Sequence, residues 1–258
     1  MPGASARKQA KARITKQISR GGPEPGSVPP TAAAVIARRI EEDVVLGRRH
    51  PRERLVEQDL CEQFGTHRAD VRLALFELEK KGIVRRIRNR GAVVRDLTPE
   101  EVLEIYDVRE ELEVMAVRIL PFPVARADIT ALETLQERHS RAVDAGDLLA
   151  VFYANVRFHR ALYGLCGNAC LIATIEQLAE KVSSIRSSAH AIPGALDNSR
   201  NDHIKMIAAL RAGRRDDLIA LTRRHLKAAP NAYVAAYRKR FGEATKTGER
   251  LPAGPEFV

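Results

Sequence analysis

The sequence predicts a mainly α fold, with an N-terminal winged helix-turn-helix followed by a C-terminal all-helical bundle of six or seven helices. Three observations predict it. Positive charge is concentrated early: residues 1–96 carry 21 Lys and Arg against 12 Asp and Glu, whereas residues 97–242 carry 20 against 18. Between residues 31 and 96, two short helical patterns meet at a glycine and are followed by alternating apolar residues around Asn89-Arg90-Gly91. From residue 97 onward, apolar residues recur at helical spacing almost without interruption. The implied division is a basic, disordered tail over 1–30, the winged domain over 31–96, the helical domain over 97–242 and a frayed end over 243–258.

Composition narrows the function classes. The 258 residues suffice for about two domains, and 45% hydrophobic residues are too many for a wholly disordered chain. No apolar run approaches the ~20 residues of a membrane span and no signal-peptide core is present, so a cytoplasmic protein with no membrane partner is expected. Cys61, Cys166 and Cys170 form no Cys-x-x-Cys, which argues against a disulfide framework or a thiolate zinc knuckle. Packed free thiols are expected, with redox sensing by Cys166 and Cys170 as the alternative. The charge asymmetry points to a polyanion partner for the first third, against a merely solvated basic surface. Arg7, Lys8, Lys11, Arg13, Lys16 and Arg20 fit a basic arm, a disordered end or a transit-like segment equally well.

Each element follows from its pattern. Val35, Ile36, Ile40 and Val44 recur at helical spacing after Thr31, and Gly47 ends that helix. A second helix runs from Val56 to Phe64, with Leu60 and Phe64 four apart, and ends at Gly65. A third opens near Thr66-His67-Arg68, turns Val71, Leu75 and Leu78 inward, and stops at Gly82 after Lys80-Lys81. Ile83 to Arg88 and Ala92 to Val94 flank Asn89-Arg90-Gly91 as a β-hairpin wing. A helix of this kind enters the major groove with its N-terminal residues at base edges, while a basic wing reaches phosphates or the minor groove.

Residues 54–79 resemble the DNA-binding domain of the GntR family, whose recognition helix usually opens Val-Ser-Arg-Thr-Pro-Val-Arg-Glu-Ala-Leu and whose wing contains Asn-Arg-Gly. The resemblance implies binding to a double-stranded DNA operator through His67, Arg68, Arg72, Asn89, Arg90 and Gly91. His67 and Asp70 replace the usual Ser and Pro. An acid at position 70 repels phosphate unless it accepts from cytosine N4. The competing structural roles are pairing of Arg72 with acids of its own helix and a helix-dipole role for Lys80-Lys81.

Thr98-Pro99-Glu100-Glu101 has the form of a capping box with proline at the first helical position, opening a helix over about 99–120. Val102, Ile105, Tyr106, Leu112 and Ala116 line one side, and Arg109 lies among them with Glu113 four residues on. An arginine on an apolar stripe needs a partner. Two readings are equally open: an intrahelical pair with Glu113, or a guanidinium fork presented to an anionic ligand in a cavity.

Asn155 and His159 stand at i and i+4 on a helix over about 147–165. His203 and His225 are 22 apart around Gly213, so an antiparallel turn there sets them level across a hairpin. Three imidazoles and one side-chain oxygen form a ligand set suited to Zn²⁺, Ni²⁺ or another divalent transition metal with open positions. Each histidine taken singly fits a hydrogen-bonded structural role as well.

Residues 97–240 also resemble the FCD effector domain of the FadR branch of that family, through Tyr106-Asp107-Val108-Arg109-Glu110-Glu111-Leu112-Glu113, Asn155-x-x-Phe158-His159, His203 and His225. The resemblance implies a homodimer with a metal held deep in the bundle by Asn155, His159, His203 and His225, and a small carboxylate effector bound to the metal and to Arg109. Arg186 is a second candidate anion contact. Asn155 stands where Asp is common, which leaves more residual charge on the metal and favours an anionic effector.

The expectation is a sequence-specific transcriptional regulator of repressor type, not an enzyme. A metal-dependent hydrolase is the alternative that three histidines raise, and the sequence has no His-Glu-x-x-His, Gly-x-Ser-x-Gly or P-loop. A ligand-independent DNA-architectural dimer is the other.

Overall fold

The computed structural model describes residues 29–87, 91–185 and 192–241. The tail over 1–28, the wing residues Asn89 and Arg90, Arg186 and the end from 242 onward lie outside the described residues. Helices α1 (Ala32–Val45), α2 (Glu57–Phe64) and α3 (Arg68–Lys80) pack with strands β1 (Arg54–Leu55), β2 (Val84–Ile87) and β3 (Gly91–Val94). Six further helices follow: α4 (Pro99–Ile119), α5 (Arg126–Asp144), α6 (Leu148–Gly164), α7 (Ala169–Lys181), α8 (Ala195–Arg211) and α9 (Arg215–Phe241), with a 3-10 turn at Ser183–Ile185. Among the described residues, no helix is long and apolar enough to cross a membrane.

The winged domain buries the stripes that its sequence pattern sets out. Ile36, Ile40, Leu60, Phe64, Val71, Leu75 and Leu78 form one core with Leu55, Val84 and Val94. The sheet has one strand more than the hairpin reading: β3 is central, antiparallel to β2 on one side and to β1 on the other. Two residues are too few to show an alternation in sequence, so β1 is defined only by its pairing of Arg54 with Val93 and Leu55 with Ala92. Gly91 opens β3 at a φ of 89°, and a Cβ there would stand 2.1 Å from the Leu55 carbonyl oxygen. Close approach of β1 therefore requires this glycine.

In the bundle, α4 lies along α9, α5 along α6, and α8 spans α5 and α9. Thr98 and Glu101 form the reciprocal capping box that their spacing indicates, with Pro99 at the first helical position. The main core gathers Val117, Leu120, Leu132, Phe158, Leu162, Met206 and Leu210. A second cluster of Leu97, Val102, Val182, Ile185, Leu226 and Tyr233 fills the corner below the winged domain.

Contacts among the described residues join the two parts, three of them at α1 and the end of α3. The 3-10 turn packs on α1. The Tyr153 hydroxyl of α6 donates to Glu42 of α1 at 2.9 Å. Lys81, at the end of α3, pairs with Glu41 of α1 at 2.8 Å and reaches Glu180 of α7 at 3.9 Å.

Cys61 and Cys166 pack against the two cores, and the expectation of packed thiols needs correction at Cys170. Cys170 is exposed because it sits in the first turn of α7, away from the buried Leu171 and Ile175. Cys166 is half-buried, and its sulfur accepts the Asn168 N–H at 3.4 Å.

Candidate nucleic-acid interface and metal centre

The turn between α2 and α3 is tight because Gly65 closes α2 in the left-handed conformation, at a φ of 61°. His67 is the N-cap of α3 through its backbone alone, leaving its exposed ring uninvolved in the cap. The Thr66 hydroxyl instead donates to Asp70 at 2.7 Å, which ties that acid to the turn. Arg68 donates to Gln58 at 3.2 Å, and the Arg72 Nε donates to both carboxylate oxygens of Glu57 at 3.1 and 3.0 Å. The acid partner of Arg72 is thus on α2 and not on its own helix. Both arginines are exposed on the outer face of the turn. An exposed pair of this kind contributes only about 0.2–1 kcal/mol, so phosphate or a base edge can replace Glu57 cheaply.

In the bundle, the structure brings together the three histidines read from sequence. One ligand atom from each of His159, His203 and His225 lies within 4.8 Å of the other two. The Nε2 of His159 is 3.1 Å from that of His225 and 3.2 Å from that of His203. These rings come from α6, α8 and α9, and Asn155 lies one turn before His159 on the wall of the same cavity.

Second neighbours orient the rings. His203 Nδ1 lies 2.8 Å from Gln136 Oε1, and the Gln136 amide in turn donates to Ser140. His225 Nδ1 lies 3.4 Å from Asp202 Oδ2. An amide oxygen and a carboxylate can only accept here, so Nδ1 is the donor on both rings and Nε2 faces inward. Asp202 is held below the ordinary carboxylate range: burial opposes this, but hydrogen bonds from His225 and Arg224 prevail. Phe158 stacks on His203 with ring centroids 4.1 Å apart. His139 stands 5.0 Å from His203 and also lines the cavity.

Sequence reasoning missed Gln136, His139 and Asp202. A signal for the first two exists, since Ile129, Leu132, Gln136 and His139 follow one helical stripe and all four are buried. Asp202 adjoins His203 but serves His225, a relation that only the meeting of α8 and α9 creates.

A cavity of about 240 Å³ opens beside the histidines, and Arg109, Tyr106 and Glu113 line its wall together with Asn155, His159 and His225. Of the two readings open for Arg109, the structure contains the pair with Glu113. Arg109 lines the cavity, and its Nε and Nη2 donate to Glu113 Oε1 at 3.1 and 2.7 Å. Glu113 accepts in addition from the Tyr163 hydroxyl at 2.6 Å. Burial works against the charged guanidinium, but Glu113 outweighs it and raises the Arg109 pKa above the ordinary arginine value. Burial, then Glu113, push the Tyr163 hydroxyl well above the usual tyrosine range. Arg109 therefore stays charged at any physiological pH, with the Glu113 carboxylate as its counter-charge on the same wall.

Comparison with protein families decides the identity. Residues 32–94 match the model of the bacterial regulatory proteins of the gntR family, and residues 104–228 match the FCD domain. The chain belongs to the GntR family and carries an FCD domain. It is 28% identical over 149 residues to the HTH-type transcriptional regulator YdhC of Bacillus subtilis, covering 57% of this chain and 66% of YdhC. It is 26% identical over 157 residues to the HTH-type transcriptional repressor GlaR of Escherichia coli, covering 58% of this chain and 70% of GlaR. E. coli McbR is 28% identical over 139 residues, 54% of this chain and 63% of McbR. The matches to YdhC and McbR thus span slightly under two thirds of those relatives' own lengths. The McbR structure superposes on 81% of this chain and 100% of its own with a TM-score of 0.70 at 23% identity, which shows a common fold. These relatives are named as regulators and none as an enzyme.

Proposed function

We propose that this GntR-family chain is a DNA-binding transcriptional regulator of repressor type whose operator affinity responds to a small carboxylate bound at a metal site in the FCD domain. The observation that carries the effector half is the convergence of three Nε2 atoms beside a cavity that also holds Arg109. Three inward Nε2 atoms, two of them oriented by Gln136 and Asp202, suit a divalent transition metal such as zinc or nickel. His159, His203 and His225 would hold it, with Asn155 as the amide-oxygen ligand. The metal would supply a Lewis-acidic anchor for one end of the carboxylate, and Arg109 a fixed positive charge beside it.

DNA binding is assigned to His67, Arg68 and Arg72 on the helix-turn-helix and to Asn89 and Arg90 at the wing tip, with Gly91 allowing the wing to pack on β1. The homodimer that family membership implies sets two recognition helices on a palindromic operator. Tyr153 follows the cavity residue Phe152 on α6 and is bonded to Glu42 of α1, so a change at the pocket has a direct route to the winged domain. The name of GlaR supports the repressor sign.

The test is a thermal-shift titration of chelator-treated and metal-repleted protein with mono-, di- and tricarboxylic acids, run beside His203→Ala and Arg109→Ala. A metal-dependent shift by one class of acid, lost in both variants, is expected. Equal melting temperatures with and without metal would overturn the metal site, and operator binding unchanged by every acid would overturn the effector role.

A further inference from the structure

The recognition helix carries an apolar ridge that the arginine contacts leave unexplained. Val71, Ala74, Leu75 and Leu78 complete the buried face of α3. On the opposite face, Ala69, Leu73, Phe76 and Lys80 follow one another at i, i+4, i+7 and i+11, and all four are exposed. Leu73 keeps 48% and Phe76 42% of their surface in water. A single exposed leucine is ordinary, but two large apolar side chains aligned on the face of a recognition helix are not accounted for by folding.

The borders of the ridge identify its occupant. Arg68 and Arg72 border it on one side along the first two turns of α3. Lys80 and Arg86 stand 5.4 and 5.0 Å from the Phe76 ring. An apolar strip with arginines along one side and two cations at its far end complements a surface that sets apolar groups beside anions. The major groove of DNA has that pattern where thymine occurs, because the C5-methyl of thymine is the apolar group among the base edges and phosphates line the groove. Resting on the regulator reading, we propose that Leu73, buttressed by Ala69 and Phe76, is a specificity residue that packs on a thymine methyl within the half-site read by Arg68 and Arg72. In the free protein the Lys80 and Arg86 heads lie over the Phe76 ring.

The experiment uses the full chain. Duplexes are enriched from a randomised pool, and each thymine of the enriched sequence is then replaced singly by uracil, which pairs identically and lacks only the methyl. One position per half-site is expected to weaken binding about fourfold on loss of its methyl, and Leu73→Ser, an exposed substitution that leaves the core intact, is expected to abolish that sensitivity at that position alone. Retention of the same uracil sensitivity by Leu73→Ser overturns the proposal, as does an enriched half-site without thymine. If Leu73→Ser instead alters the oligomeric mass in sedimentation while uracil has no effect, the ridge is a protein contact and the proposal fails. Enrichment of no sequence at all refutes the regulator reading itself, which separates that failure from this one.

Discussion

Arg109–Glu113 in α4 and Arg72–Glu57 across the helix-turn-helix are the same two side-chain types in opposite surroundings. The first pair keeps 7% and 1% of its side-chain surface exposed, the second 59% and 20%. In the bundle, Glu113 is held by Arg109 and Tyr163 together, and neither charge can be abandoned without leaving the other in a low-dielectric site. On the exposed helix-turn-helix surface, water stands ready to replace either partner of Arg72. The contrast teaches what each arginine can be used for. Arg72 can exchange its carboxylate for phosphate at little cost, whereas an anion entering the cavity would have to meet Arg109 in addition to Glu113, with the guanidinium already fixed in orientation.

The sharpest way to break this comparison is Glu113→Gln, which keeps the shape and removes the charge. Destabilisation by about 3–5 kcal/mol is expected in urea unfolding, because Arg109 is left buried and uncompensated. The double substitution Arg109→Met/Glu113→Leu should recover most of that loss while abolishing any carboxylate-induced thermal shift. A loss below about 1 kcal/mol for Glu113→Gln would mean that the pair behaves like the exposed one.

A smaller effect tests the link between the regions. Tyr153→Phe removes a hydrogen bond to a charged acceptor and should cost about 1–3 kcal/mol. It should also reduce the influence of the effector on operator affinity without changing effector binding measured by calorimetry. Unchanged coupling in that variant would exclude the Tyr153–Glu42 contact as the route.

Smaller again is Glu57→Gln. Stability should change by less than about 1 kcal/mol. Binding to DNA should tighten at low salt, since an acid beside Arg72 is neutralised, and this gain should fade as salt is raised. Weaker binding would show that Glu57 orients Arg72 and does not compete for it.

The smallest effect is one of pH. Burial works against the Lys81 ammonium, but Glu41 outweighs it and raises the pKa above the ordinary lysine value of 10.5. A raised lysine contributes stability that is fully present below that value and is lost as pH rises through the folded-state pKa. The urea midpoint of the wild type should therefore exceed that of Lys81→Met by a constant margin through neutral and mildly alkaline pH, and the margin should shrink above about 10.5. A margin that stays constant there would place the contribution of Lys81 in its packing rather than its charge.

Much of the fold is legible because it is written in local patterns. The stripes of α1, α2 and α3, the glycine at position 65, and the Thr98 capping box depend on residues within a few positions of one another, so periodicity and cap chemistry suffice to locate them. The candidate metal centre is legible for a different reason: resemblance carries the spacing of Asn155, His159, His203 and His225, and a turn at Gly213 is enough to set the last two level. Arg109 is legible as an arginine in need of a partner, although its sequence does not choose between Glu113 and a ligand.

By itself, then, the sequence determined the order of helices, their caps, the basic outer face of the helix-turn-helix and the identity of the converging histidines. The tertiary structure decided what each polar group meets. Gln136 reaches His203 across 67 positions of chain and Tyr153 reaches Glu42 across 111, while the two residues of β1 become a strand only beside β3. Helical and strand periods describe which face a residue occupies, but not which distant face is packed against it. That pairing is set by the close packing of whole elements, and it settles whether a buried charge or ring finds its partner.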